Sequence, residues 1–131
     1  MKDFVKDYND LRVYSNAIDA AMEIFEITKS FPSEERYSMV DQVRRSSRSV
    51  CANLAEAWMK RRYKAAFIAK LNDAVSEAAE TKVWVELAER CRYIEPTTRV
   101  VLDEKYSEVI GQLIKMVNHA DSWLVKAETD R

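Results

Sequence analysis

Residues 42–58, QVRRSSRSVCANLAEAW, most constrain what this chain can fold into, because polar and apolar side chains both recur there at helical spacing. The polar residues follow one another every three or four positions, so they lie along one side of a helix. They are Gln42, Ser46, Ser49, Asn53 and Glu56. Burying an unsatisfied polar group costs about 1–3 kcal/mol. We therefore expect these side chains to be hydrogen-bonded in one particular assembly.

The scarcity of turn-forming residues favours helices throughout the chain. Its 131 residues include one glycine and two prolines, whereas a many-stranded sheet needs turn residues about every ten positions. Apolar residues make up 47% and charged residues 33%, which is typical of a soluble protein built from amphipathic helices. The length predicts one domain, residues 1–131.

The hydrophobic periodicity divides the chain into four helices, at about 11–30, 33–60, 63–93 and 98–126. Pro32 separates the first helix from the second, and Pro96 separates the third from the fourth, because the residue before a proline avoids the helical region. Ser33 is predicted to cap the second helix. Four helices with short connections fold most simply as an all-α, antiparallel up-down-up-down four-helix bundle.

One apolar stripe of each helix is predicted to face the core. For the first helix the predicted stripe is Leu11, Tyr14, Ala17 or Ile18, Ala21, Phe25 and Thr28. For the second helix it is Met39, Val43, Ser46, Val50, Leu54 and Ala57. For the third helix it is Phe67, Leu71, Ala74, Ala78, Thr81, Val85 and Ala88. The second and third helices carry more apolar residues than one stripe requires, for example at 50–52 and 83–85. A helix that is apolar all round must be buried all round, so we expect a homo-oligomer. The alternative is a few exposed apolar side chains of the ordinary kind.

Two further features bear on the compartment. The N-terminal residues MKDFVKDYND contain no apolar run suited to a signal peptide, and no segment approaches the roughly 20 apolar residues of a membrane span. Cys51 and Cys91 lack CxxC spacing and are predicted to be buried free thiols. These features predict a cytoplasmic protein without membrane contact.

Catalytic and metal-binding motifs are missing from the sequence. Di-iron bundles use Glu-x-x-His pairs, whereas His119 is the one histidine here and is predicted to lie at the surface or a subunit contact. There is no Gly-rich phosphate loop, no zinc-ligand cluster and no Ser-His-Asp set. Glu56 and Glu80 resemble a catalytic carboxylate pair, but we expect Glu56 to be held structurally, by Arg45, Asn53 or a neighbouring subunit. The sequence predicts a protein that is not an enzyme and binds no cofactor or metal.

The charge distribution is uneven although the formal net charge is −1. Residues 44–64 contain seven cations and one acid, a net +6, and residues 73–89 contain five acids and one cation, a net −4. A basic segment repeated around an oligomer can bind phosphates, and Trp58 and Tyr63 can stack on bases. The candidate RNA- or DNA-binding residues are Lys60, Arg61, Arg62, Lys64 and Arg44.

An alternative interpretation assigns the basic residues to subunit contacts, in an oligomeric scaffold that binds another protein. It predicts that Arg44, Arg45 and Arg48 pair with Glu56, Glu77 or Glu80, which leaves no continuous basic face. Trp123 is then either an exposed anchor or the residue that closes the end of the bundle. The predicted polar network, whichever interpretation holds, consists of Gln42, Arg45, Ser49, Asn53, Glu56 and Glu80.

Several short motifs resemble a known family, the four-helix-bundle proteins typified by the 23S ribosomal RNA intervening-sequence protein. The motifs are Leu11-Arg12-Val13-Tyr14, Phe31-Pro32-x-x-Glu35-x-Tyr37, Gln42-x-x-Arg45, Ser49, Asn53-Leu54-Ala55-Glu56, and Phe67, Leu71, Ala74 and Glu80-Thr81. The resemblance implies a bacterial antiparallel bundle assembled as a ring-like homopentamer. It also implies a relation to the accessory variability protein of diversity-generating retroelements, which associates with nucleic acid.

This chain departs from the family pattern at two positions. Ala57 stands where the family usually has glycine, and Ser76-Glu77 stands where it favours a Gly-Ser pair. The retroelement members are also strongly basic, which this chain is not. The sequence therefore favours a non-enzymatic homo-oligomer that binds RNA through helix two and residues 60–64, with the protein-binding scaffold as the alternative.

Overall fold

The computed structural model describes residues 5–125, which form four α-helices and no strand. The helices are α1 (Arg12–Thr28), α2 (Met39–Met59), α3 (Lys64–Arg90) and α4 (Pro96–Asn118). Single 3₁₀ turns precede α1, precede α2 and follow α4, at Tyr8–Asp10, Ser33–Glu35 and Ala120–Ser122. The predicted all-α fold with four helices is confirmed. The predicted C-terminal end of the last helix, residue 126, and the tail after it lie outside the described residues.

The four helices surround one core. α1 packs against α2 and α4, and α3 packs against α2 and α4. Each helix therefore contacts the two neighbouring helices that an up-down-up-down bundle requires. The largest side chains that are fully buried come from all four helices and include Ile24, Leu54, Phe67, Leu71 and Tyr106. The predicted core stripes of α2 and α3 are buried along their whole length.

The second helix begins at Met39 instead of the predicted Ser33, with Ser38 at the N-cap position. The Glu35 carboxylate accepts hydrogen bonds from the Ser38 hydroxyl at 2.7 Å and from the Met39 backbone N–H at 3.3 Å. It also accepts one from the Tyr93 hydroxyl at 2.8 Å. Ser33 begins only a 3₁₀ turn and makes no side-chain cap. Glu35 therefore ties the start of α2 to the end of α3.

The third helix ends three residues earlier than predicted, at Arg90. Arg92 has φ 63°, the left-handed conformation. This lets the Arg92 and Tyr93 N–H groups donate to the carbonyls of Glu89 and Ala88 at 2.8 and 2.9 Å. This pattern is a Schellman motif, which satisfies the last carbonyls of a helix and reverses the chain. Cys91 is left exposed by this turn, which corrects the prediction that both thiols are buried; Cys51 is buried as predicted.

The core stripe of α1 differs from the predicted one. Val13, Ala17, Ala20, Ile24 and Thr28 are buried. The prediction is confirmed for Leu11, Ala17 and Thr28. Tyr14 and Ala21 are only partly buried against the core, and they line the outer side of α1 beside α2 together with Ile18 and Phe25. Both stripes have helical spacing, so α1 carries two apolar faces and the bundle covers only one of them.

We expect Gly111→Ala to raise the free energy of unfolding by about 0.5–1 kcal/mol. Gly111 lies in the interior of α4, is exposed, and would place no Cβ within 4 Å of another group. Alanine thus gains helix propensity at no steric cost. Urea denaturation of wild type and variant measures the difference, with the exposed Ser76→Ala as a matched helical control. A lower stability of Gly111→Ala would show that another chain approaches this position.

Candidate functional site

A polar seam runs along the exposed edge where α2 meets α3, and Arg45 holds its upper part. The Arg45 guanidinium lies 3.2 Å from Glu77 Oε1 and donates to Glu80 Oε2 at 2.6 Å. The Trp84 indole N–H donates to the same Glu80 oxygen at 3.0 Å. These two donors, the indole first, lower the pKa of Glu80 below its ordinary value. Arg45 is therefore neutralised within its own subunit.

The lower part of the seam is held by Lys70 of α3. Its ammonium donates to Asn53 Oδ1 at 3.3 Å and lies 2.8 Å from Glu56 Oε1. The Asn53 amide in turn donates to the backbone carbonyl and hydroxyl of Ser49, each at 3.0 Å. The Lys70 contact lowers the pKa of Glu56. The structural partner of Glu56 is thus Lys70, a residue that the sequence analysis did not single out.

Ser46 and Thr81 form the buried polar contact between α2 and α3. Their hydroxyl oxygens are 2.7 Å apart and both side chains are fully buried. Thr81 also donates to the Glu77 carbonyl at 2.9 Å. In a seam otherwise open to solvent, this pair lies inside the core.

The expectation that the whole polar stripe is buried is wrong for a single subunit. Ser46 is buried, but Ser49 and Asn53 are only half-buried, and Gln42 and Glu56 are exposed. The helix is rotated so that the stripe lies at the edge of the α2–α3 contact, where long charged side chains reach both one another and water.

The α2–α3 connection forms a basic turn, Lys60–Lys64, and Arg61 is not free within it. Its guanidinium lies 3.6 Å from the centre of the Trp58 ring. Its Nε donates to the Trp58 carbonyl at 2.8 Å, and burial lowers the pKa of Arg61. Trp58 is itself buried, with the Trp123 ring packed edge-on at 6.1 Å. Arg61 is half-buried and Trp58 is buried, whereas both were predicted to be available to nucleic acid. Trp123 closes the end of the bundle.

The other members of the basic turn are exposed as predicted. Lys60 and Arg62 are exposed, and the Tyr63 side chain is 65% exposed. Lys64 lies 2.9 Å from Asp121, but both side chains are largely in solvent, where an ion pair contributes little. Lys60, Arg62, Tyr63 and Lys64 form the accessible part of this turn.

Arg44, a predicted nucleic-acid contact, lies in the α1–α2 interface. Its Nε donates to the Thr28 hydroxyl at 2.8 Å and its Nη2 to the Phe25 carbonyl at 3.3 Å. The guanidinium also covers the Phe25 ring at 4.7 Å. Arg44 therefore satisfies the C-terminal end of α1, so no basic face continues from it to the turn at residues 60–64.

An apolar groove of about 460 Å³ runs between the outer sides of α1 and α2. We call it the α1–α2 groove, and its lining residues are Tyr14, Ile18, Ala21, Met22, Phe25, Arg48, Cys51, Ala52 and Ala55. A second depression of about 500 Å³ continues from Ala55 along α2 to Lys60, past the 75%-exposed Met59. Arg48 is the one charged residue of the groove, and it makes no ion pair or hydrogen bond with any residue of 5–125.

Chemical groups for catalysis or metal binding are sparse in the described part of the chain. Within residues 5–125 no three His, Cys, Asp or Glu side chains are grouped so that they could hold a metal ion. His119 is exposed, and its Nδ1 lies 3.0 Å from the Lys115 carbonyl. Among the helices of the same residues, none is long and apolar enough to cross a membrane.

Comparison with known proteins identifies a family and a similar solved structure. The sequence profile of the 23S rRNA-intervening sequence protein family matches residues 9–115. The crystal structure of a protein of unknown function from the S23 ribosomal protein family of Bacteroides thetaiotaomicron superposes with a TM-score of 0.74. It is 32% identical in sequence, over 90% of this chain and 99% of that one. No curated protein sequence gives a significant match.

We expect Thr81→Val to destabilise the fold by about 1–2 kcal/mol, because it removes the closest partner of the buried Ser46 hydroxyl. The double variant Ser46→Ala/Thr81→Val should cost less than the sum of the two single variants, since each single variant leaves one buried hydroxyl with only its backbone carbonyl as partner. Urea denaturation of the four proteins gives the coupling. Strict additivity would mean that the two hydroxyls do not interact.

We expect Glu80→Gln to lower stability at neutral pH, because the Trp84 and Arg45 donors favour the ionised carboxylate. A carboxylate with a lowered folded-state pKa adds stability above its unfolded value, near 4.5, and loses it as the pH falls. The difference between wild type and variant should therefore shrink from about pH 5 to about pH 3. Denaturation at several pH values measures it, with exposed Glu104→Gln as the control. A difference independent of pH would contradict this role of Glu80.

Proposed function

This chain belongs to the 23S rRNA-intervening sequence protein family, and we propose that it acts without catalysis, as a homo-oligomeric scaffold that binds another protein. The family resemblance supports a ring-like homopentamer as the assembled form. The exposed free thiol of Cys91 is in keeping with the reducing cytoplasm.

The observation that carries the proposal is the uncovered apolar surface of a well-packed bundle. Along the α1–α2 groove, Ile18 is 36% exposed and Met22 is 53% exposed. In the depression that continues the groove, Met59 is 75% exposed. On the outside of α3, Val83 is 54% exposed. These side chains are contiguous with apolar neighbours at helical spacing, and are not scattered singly. Contiguous exposed apolar surface marks protein contacts, and a symmetric oligomer covers it in every subunit at once.

The state of the carboxylates supports a non-enzymatic role. A general acid near neutral pH requires a raised carboxyl pKa, whereas Glu56 and Glu80 have lowered values. Each already binds a cation of the neighbouring helix, Lys70 and Arg45 respectively. The resemblance of Glu56 and Glu80 to a catalytic pair is then explained by ion pairing across the seam.

We expect the purified protein to have a mass several times that of the 15.3 kDa chain, with five chains as the value implied by the family resemblance. Light scattering after size exclusion measures the mass without assumptions about shape. Sedimentation equilibrium at falling concentration then tests whether the assembly dissociates. A 15.3 kDa species at micromolar concentration would contradict the oligomeric scaffold.

RNA binding is the second candidate, and the exposed cluster in the basic turn favours it. Lys60, Arg62 and Lys64 present three cations beside the exposed Tyr63 ring. Cations bind phosphates in a salt-dependent manner, and an aromatic face adds stacking on an unpaired base. Because Arg44, Arg45 and Arg61 are engaged within the subunit, the surface is small, and we rank this function below the scaffold.

The two candidates separate in an anisotropy titration with fluorescent single-stranded and hairpin RNA at several salt concentrations. If RNA is the partner, the Lys60→Ala/Arg62→Ala/Lys64→Ala variant should lose at least tenfold in affinity, with a shallower salt dependence. The charge-matched control removes three exposed cations elsewhere, as Lys29→Ala/Arg36→Ala/Lys115→Ala. Equal losses in both variants would indicate non-specific attraction. Absence of binding at low salt would exclude RNA and leave the scaffold.

A further inference from the structure

The outer side of α3 carries a continuous uncharged stripe with heptad spacing. We call it the α3 stripe, and its members are Ala65, Ala69, Asn72, Ser76, Ala79, Val83 and Leu87. All seven are exposed, and successive members alternate three and four residues apart up to Val83. A sustained alternation of this kind is the pattern of a helix that packs lengthwise against other helices. Nothing within the bundle uses the stripe, because the core of α3 is formed by a different set of residues.

The small side chains of the α3 stripe match the α1–α2 groove in shape. Alanine and serine let a third helix approach two others closely, and the groove between α1 and α2 is a lengthwise channel between two helices. The stripe spans about 33 Å from Ala65 to Leu87, at about 1.5 Å per residue. The groove and its continuation follow α2 from Arg48 to Lys60, which is about 18 Å at the same rise per residue. The channel is therefore long enough to hold about three turns of the stripe.

The charges at the borders of the two surfaces are complementary. Arg48 in the groove lacks an ion-pair partner among residues 5–125, and Lys60 borders its continuation. The α3 stripe carries no charge, but it runs through the acidic segment 73–89, whose net charge is −4. Asp73, beside the stripe, is 61% exposed, and Lys70 is 3.9 Å away. Glu56 also borders the continuation, but it is paired with Lys70. The unpaired Arg48 of the apolar groove thus meets an uncharged stripe with acidic neighbours.

Symmetry decides how two copies use these surfaces. A two-fold contact of stripe with stripe leaves every groove uncovered, and a contact of groove with groove leaves every stripe uncovered. A head-to-tail contact of unlike surfaces covers both in each subunit, and it generates a closed ring when the rotation closes. We propose that the α3 stripe of one subunit binds in the α1–α2 groove of the next copy; the inference rests on the proposed homo-oligomer and specifies its interface.

The test uses two charge insertions at exposed helical positions, Ala52→Glu in the groove and Ala79→Glu in the stripe. Each variant alone should sediment as a monomer of 15.3 kDa, because every contact contains one altered surface. An equimolar mixture should form a dimer that contains one chain of each variant. In the mixture, the intact groove of the Ala79→Glu chain can bind the intact stripe of the Ala52→Glu chain, and the two remaining surfaces are both altered.

Gly111→Glu is the matched control, since it adds the same charge to the outer side of α4, where a side chain meets no other group. It should keep the wild-type mass. Circular dichroism should show wild-type helix content for all three variants, because every substitution lies at an exposed helical position.

A second pair of variants tests the contact without added charge. Ala52→Cys and Ser76→Cys are made in separate Cys51→Ala/Cys91→Ser chains whose wild-type mass has first been verified. A bis-maleimide should cross-link a mixture of the two into dimers and should leave each variant alone uncross-linked. Absence of the mixed cross-link would overturn the proposed contact.

The remaining outcomes of the sedimentation test separate this inference from the function it rests on. A monomeric Ala79→Glu beside an unchanged Ala52→Glu would indicate a stripe-to-stripe contact and overturn the head-to-tail arrangement. Wild-type mass for both variants, or dissociation by Gly111→Glu, would indicate that the interface lies elsewhere on the subunit. That outcome would overturn the proposed contact without contradicting the oligomeric scaffold. A monomeric wild-type protein would overturn both.

Discussion

The packing of α2 against α3 determines which side chains of this molecule remain available to a partner. Leu54 and Leu71 are fully buried in the core that the two helices share, and the small Ala74 and Ala78 leave room for close approach. The Ser46–Thr81 hydroxyl pair fixes the contact from inside the core. Buried polar groups are stable only with their partners in place, so this pair favours one register of the two helices. The positions of the basic turn and of both outer surfaces follow from that register.

The same packing explains why a strongly basic segment does not become a basic surface. Arg44 turns toward α1, Arg45 pairs across the seam, and Arg61 stacks on Trp58. Each of these guanidiniums is used where a planar group with several donors is most effective, at helix termini, carboxylate pairs and aromatic faces. The compact, strongly hydrated ammonium groups of Lys60 and Lys64 stay in solvent. Local net charge therefore overstates the surface available to a phosphate backbone.

Both α1 and α3 carry more apolar surface than one bundle can bury. In α1, Ala17 and Ile24 face the core while Ile18 and Met22 face outward. In α3, the core stripe and the exposed α3 stripe lie on opposite sides of the helix. A bundle in water normally exposes charged residues on such outer faces. Their absence here is the physical basis for the proposed assembly, in which each outer face is covered by another subunit.

The sequence by itself determined that the chain forms four helices and which faces of α2 and α3 are buried, because hydrophobic periodicity and proline placement are local properties. It could not choose between the two apolar stripes of α1, since both have the same period and only the position of α2 decides which becomes core. It also could not assign partners to Arg44 and Arg45, or find Lys70, because these contacts join residues distant in the chain. The distinction between an exposed cation and a structural one was thus made only by the tertiary structure, through the burial and geometry of the groups around it.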